Sequence, residues 1–272
     1  MSATIKLSFP ATREFWEIPV LFEDGDLLAL DKPVGLLTSP DRGAPERPSL
    51  MALLHAGVAA GKPWARARGL TYLANAHRLD GGTAGVLLLA KNKPALVALA
   101  DQFGSELPVR KYLALVHGVP LDETFVVAEK IGPHPAQPGR MRIESRNGKK
   151  ARTEFTVVEA FSRWSLVRCV PRMERVQQLA LHLSHAGLPL IGDELHGGKS
   201  LWLSRLKRDF RLKPGREERP LIARVALHLE ELNLTHPVTR QAVTIKSEWP
   251  KDLRVALKYL RQYAKGGTGA TD

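Results

Sequence analysis

The sequence predicts an α+β fold: a mixed or antiparallel sheet flanked by helices. Segments of alternating apolar and polar residues outnumber segments with helical periodicity, and successive strands are mostly not joined by helical crossovers. The 272 residues, 44% hydrophobic, can bury one large core or two half-sized ones without metal or disulfide staples. A doubly wound parallel sheet would require strand and helix patterns in regular alternation, which the chain does not supply.

Taken in order, residues 5–9 alternate as a strand, and the short apolar run 26–31 (DLLALD) is ended by Lys32-Pro33. A loop rich in Pro, Gly and Arg covers 40–48, after which Ser49 is placed to cap a helix over 50–60 that Gly61 closes. A basic loop holding Arg66 and Arg68 leads to HRLDGG at 77–82, which interrupts the apolar pattern ahead of a strand at 85–90. Residues 94–103 have helical periodicity, and 111–118 (KYLALVHG) read as the next strand. The stretches 125–131, 152–160 and 164–170 alternate as antiparallel strands, and the helix predicted over 175–186 has Gly187 at its C-cap. Strands at 223–234 and 242–246 precede a final helix over 251–263. Residues 1–17 read as an N-terminal extension, 18–264 as one catalytic domain, and 265–272 as a small, polar, disordered tail.

The formal charge of +12 and the pI near 10.0 attract polyanions, of which nucleic acid is the usual one. The basic stretches 140–152 and 205–219 are candidates for phosphate contact, although a solvated basic face has the same composition. No stretch approaches the roughly 20 apolar residues of a membrane span, and no signal-peptide order opens the chain. A soluble, cytoplasmic protein is expected, without a membrane partner. The lone cysteine, Cys169, falls in an alternating run and reads as a buried strand residue, so no intramolecular disulfide is possible.

Within HRLDGGTAG (77–85), Asp80 is followed by Gly81-Gly82, so little side-chain bulk would keep a planar ligand from its carboxylate. Arg78 could hold a phosphate or fill the space a flipped base leaves. The same residues also compose a plain Asp-Gly-Gly turn with a surface ion pair, and composition leaves both open. His182 and His185 have a spacing compatible with metal binding, but no acidic residue or cysteine nearby completes a ligand set.

HRLDGGTAG resembles the HRLDxxTSG signature of the RluA-type pseudouridine synthases, with Ala84 where serine is usual. DKPVGLLTSP at 31–40 resembles that family's KPxG segment, and RKYLALVHG at 110–118 its basic-x-Tyr element. Further collinear matches are GKKARTEF from Gly148, HLSHAGLPLIGDELHGG from His182 and VALHLEELNLTHPVT from Val225. The resemblance implies a mixed-sheet fold with a central RNA-binding cleft and isomerisation of a specific uridine to pseudouridine in ribosomal or transfer RNA. Carried over by position, Asp80 is the nucleophile, Tyr112 covers the uracil and assists proton transfer, and Arg78, Arg110 and Arg175 contact the RNA. Neither cofactor nor metal is implied, since one glycosidic bond is broken and remade without redox chemistry or a group donor. Too few residues precede the matched region for the family's separate RNA-binding appendage, so recognition is expected of the catalytic domain, acting as a monomer.

The family's third motif reads close to TGRTHQIRVHL, and the aligned stretch here is MERVQQLALHL at 173–183. Met173-Glu174 replaces Thr-Gly, Gln177 replaces His, and Ala180 replaces the arginine that pairs with the catalytic aspartate in the family. A desolvated carboxylate without its cation tends to take up a proton. The resemblance therefore also admits a catalytically weak or silent RNA-binding protein on the same fold, unless Arg172 or Arg175 supplies the missing charge.

Overall fold

The structure is a computed structural model describing residues 4–41 and 43–265. In chain order the elements are β1 (Thr4–Phe9), β2 (Glu14–Glu23), β3 (Leu27–Lys32), α1 (Leu50–Ala59), α2 (Pro63–Arg66), β4 (Ala74–Asn75), β5 (Ala84–Ala90) and α3 (Lys93–Gly104). There follow β6 (Val109–His117), β7 (Thr124–Val127), β8 (Ile131–Pro133), β9 (Met141–Ile143), β10 (Arg152–Ala160), β11 (Trp164–Arg172) and α4 (Gln178–His185). A short 3₁₀ turn (Glu194–His196), α5 (Leu203–Leu206), β12 (Leu227–Thr235), β13 (Ala242–Lys246) and α6 (Lys251–Tyr263) complete the chain.

These elements form two compact units. Unit one takes the described residues up to Arg110 together with Leu229–Glu248, and unit two takes Lys111–His228 with the described residues from Trp249 onward. The stretch read as one domain is thus divided between them.

In unit one the strands lie in the order β1-β2-β3-β5-β12, with β13 on β12 and β4 on β5. β3 and β5 pair antiparallel, Leu30 opposite Leu87, and all seven residues of β5 (AGVLLLA) are buried. A strand covered on both faces reads as a continuous apolar run rather than an alternating one. Helix α1 starts where Ser49 accepts from the Ala52 N–H, and α3 starts where Asn92 accepts from the Ala95 N–H. The N-terminal stretch read as an extension supplies, from its described residues, β1 and the start of β2, paired with Leu7 opposite Trp16.

In unit two β6-β11-β10-β7 form one sheet path, and β8 and β9 form a separate antiparallel hairpin. Leu253, Ala256, Leu257 and Leu260 of α6 pack onto Leu113, Leu115, Leu166 and Ile191. Each buried leucine there contributes about 1.5–3 kcal/mol. Arg224 fixes the helix start by a two-pronged pair with Asp252, at 2.7 and 2.9 Å. Cys169 is buried in β11, opposite Tyr112 of β6.

The structure corrects three spans. The strand expected over 223–234 begins only at Leu227. The strand expected over 125–131 is divided: β7 pairs with β10, whereas Ile131 leaves for β8 and pairs with Ile143. The helix expected over 175–186 starts at Gln178, because Met173 (φ 52°) and Gln177 (φ 58°) stand in the left-handed region and break the turn ahead of it. Of the tail read as disordered, all but Lys265 lies outside the described residues.

Candidate active site

Unit one carries Asp80 on the bend between β4 and β5. Arg78 and Asp80 are exposed, whereas His77 and Leu79 beside them are buried, so the local alternation turns the two charged side chains to the surface. The bend is pinned from several sides. The Thr38 hydroxyl donates to the Leu79 carbonyl at 2.8 Å and accepts from the Leu79 N–H at 3.1 Å. The Thr83 N–H donates to the Asp80 carbonyl at 2.9 Å, and the Gly35 N–H to the Gly81 carbonyl at 2.8 Å. At Gly85 (φ 116°) an added Cβ would lie 2.2 Å from the Leu229 carbonyl oxygen, so only glycine lets β5 begin there.

Beneath the bend Lys32 is fully buried, its Nζ donating to the carbonyls of Pro33 at 3.0 Å and Thr83 at 2.9 Å. Burial pushes its amine down to about 7, and the negative charge of Asp80 pulls in the opposite direction. His77 stacks on Phe103 with ring centroids 5.3 Å apart, and its Nε2 accepts from the Leu88 N–H at 3.2 Å. Burial, aided by the nearby Arg110 charge, lowers it to about 3, so the ring is neutral and functions as an acceptor. Arg110, expected at the RNA surface, is 9% exposed with its guanidinium 5.5 Å from the Phe103 ring centre.

Unit two carries Tyr112 and Arg175. Tyr112 is 2% exposed in β6, and its hydroxyl donates to Glu174 Oε1 at 2.8 Å. The Arg175 N–H donates to Gln178 Oε1 at 2.7 Å, and its Nε to the Lys150 carbonyl at 3.3 Å. Ala180 is half-buried in α4. His182 has its Nδ1 2.9 Å from the Thr153 hydroxyl and its Nε2 3.1 Å from the Glu129 carbonyl, so helix packing accounts for it. The five expected site residues therefore stand as Arg78, Asp80 and Arg110 in unit one and Tyr112 and Arg175 in unit two.

Three further residues belong to this description. Thr38 and Lys32 lie within DKPVGLLTSP, whose match to a family segment was the available signal. Glu174 had a weaker one, as a carboxylate where the resembling motif has a small residue.

The fold has a counterpart among solved structures. Over 89% of this chain and 92% of its own, the human RNA pseudouridylate synthase domain containing 4 protein superposes with a TM-score of 0.65 at 23% identity. With RNA pseudouridylate synthases matched over residues 26–185, the chain belongs to that family. It is 37% identical to ribosomal large subunit pseudouridine synthase D of Nitrosomonas europaea, over 90% of this chain and 65% of the relative. It is also 31% identical to ribosomal large subunit pseudouridine synthase C of Salmonella typhi, over 90% of this chain and 70% of that protein. No helix among the described residues is long and apolar enough to cross a membrane.

Proposed function

We propose that this chain isomerises a uridine to pseudouridine in RNA, with Asp80 as the nucleophile and ribosomal RNA as the substrate class. The observation that carries the reading is an exposed carboxylate on a bend whose backbone is fixed on both sides by hydrogen bonds, those at Leu79 buried, within the family's signature. Fixed placement is what a nucleophile needs, since misplacement by about 1 Å costs on the order of 10² in rate. The uridine leaves its stack at a cost of a few kcal/mol, which loops, bulges and strand ends reduce. Asp80 attacks the sugar C1′ or the uracil C6; the base detaches, turns and rejoins through its C5, with Tyr112 taking part in proton transfer. Arg78 and Arg175 supply positive charge, and the exposed Lys149, Arg208 and Arg216 are further candidates for phosphate contact.

Lys32 favours the active reading despite Ala180: it is a buried cation within unit one, and its attraction to Asp80 opposes the loss of its proton. The half-buried Ala180 favours the second reading, a silent RNA-binding protein. Incubation with ribosomal RNA from a strain lacking the protein, followed by carbodiimide-blocked primer extension, separates them. New stops at a defined uridine support the enzyme; binding without any new stop establishes the silent protein.

A further inference from the structure

We propose that Glu174 acts through Tyr112, holding the phenol and accepting its proton during isomerisation; the inference rests on the function proposed above. Tyr112 is 2% exposed and donates to Glu174 Oε1 at 2.8 Å. A tyrosine hydroxyl has one proton, and once that proton is directed to a carboxylate the oxygen meets any other group as an acceptor. A charge-assisted bond of this kind also fixes the ring.

Glu174 is itself delivered by built structure. Met173 before it and Gln177 after it hold left-handed backbone, with φ 52° and 58°. Gln178 accepts from the Arg175 N–H at 2.7 Å, while its amide nitrogen donates to the carbonyls of Arg152 at 3.0 Å and Arg172 at 3.3 Å. Gln177 accepts from the Met141 N–H and donates to the Gly139 carbonyl, each at 3.0 Å. The backbone on both sides of the carboxylate is thus tied to its surroundings, and Glu174 replaces a residue type that could not form this pair.

The chemistry balances. When the base has rejoined the sugar through its C5, that carbon still holds its hydrogen. The proton passes to the phenol oxygen as the phenol's own proton passes to Glu174. The C5–H electron pair becomes the C5=C6 double bond, the ring nitrogen released from the sugar takes up a proton, and Glu174 later returns its proton to solvent.

The test is Glu174→Gln in the full chain, which keeps size and an acceptor oxygen but cannot take a proton. Single-turnover conversion at saturating RNA should fall on the order of 10²-fold, with RNA affinity and urea midpoint unchanged. In a Tyr112→Phe background the same change should cost under about twofold, because residues acting as one unit are not additive. A Glu174→Gln protein at the unaltered rate overturns the proposal, as does an equal loss in both backgrounds or a loss confined to RNA affinity. No product from the unaltered chain overturns the functional reading and this one with it; product from it with an equally fast variant overturns this one alone.

Discussion

Replacing Thr38 by valine preserves shape and removes the hydroxyl that holds both backbone groups of Leu79. Thr38 is 2% and Leu79 5% exposed, so the N–H and C=O left behind cannot turn to water without moving the bend. A buried backbone group without a partner costs about 1–3 kcal/mol, and two of them about 2–4 kcal/mol after the gain from a buried methyl. If the bend stays in place, that loss appears in the urea unfolding midpoint. If it shifts to recover its hydrogen bonds, Asp80 moves with it, and the single-turnover rate falls on the order of 10²-fold instead. Thr38→Ser, which keeps the hydroxyl, should restore most of either loss. Thr38→Val with stability within about 0.5 kcal/mol of the unaltered chain and an unchanged rate would refute the claim that this contact fixes the nucleophile.

Further outcomes follow from the same geometry. Gly85→Ala forces a Cβ to 2.2 Å from the Leu229 oxygen at φ 116° and should cost more than about 3 kcal/mol in urea unfolding. Asp252→Asn weakens the pair that starts α6 and should cost about 1–3 kcal/mol, read as a lower thermal midpoint. The Lys32 amine, lowered from 10.5 to about 7 in the folded chain, binds fewer protons there than in the unfolded chain, so its contribution to stability rises as pH goes from about 7 to about 10.5. The rise is at most about 5 kcal/mol. Urea unfolding across that window should be steeper in pH for the unaltered chain than for Lys32→Met, and equal slopes would place the amine in water.

Much of unit one was legible because its signals are local. Ser49 is a cap that precedes apolar periodicity, residues 94–103 carry helical periodicity of their own, and the fully apolar β5 follows directly on the bend. β2 escaped because Pro19 lies inside it and its exposed and half-buried residues do not alternate cleanly; its pairing with β1 and β3 is a tertiary fact. The division of 125–131 and the late start of α4 were hidden for a similar reason. Left-handed Met173 and Gln177 are held by bonds from Gln178 and Gln177 to residues far away in the chain, which periodicity does not register. The two-unit arrangement was illegible because Leu229–Glu248 returns to unit one after more than a hundred residues of unit two.

At the candidate site, the Asp80 bend was readable from HRLDGG, but its supports were not. Lys32 seemed only to end a strand, yet its buried Nζ meets Thr83, 51 residues away. Arg110 resembled an RNA contact because a basic residue two before a tyrosine gives no sign of burial against Phe103. Tyr112 and Glu174 are 62 residues apart, and only the folded chain joins them.

Tritium release from RNA labelled at uracil C5 addresses Asp80 most directly, because every conversion to pseudouridine frees that hydrogen. The unaltered chain should release tritium from a defined uridine, whereas Asp80→Asn, with its urea midpoint and RNA affinity retained, should release none above background. Release by the asparagine variant at the unaltered rate would contradict the assignment of the nucleophile.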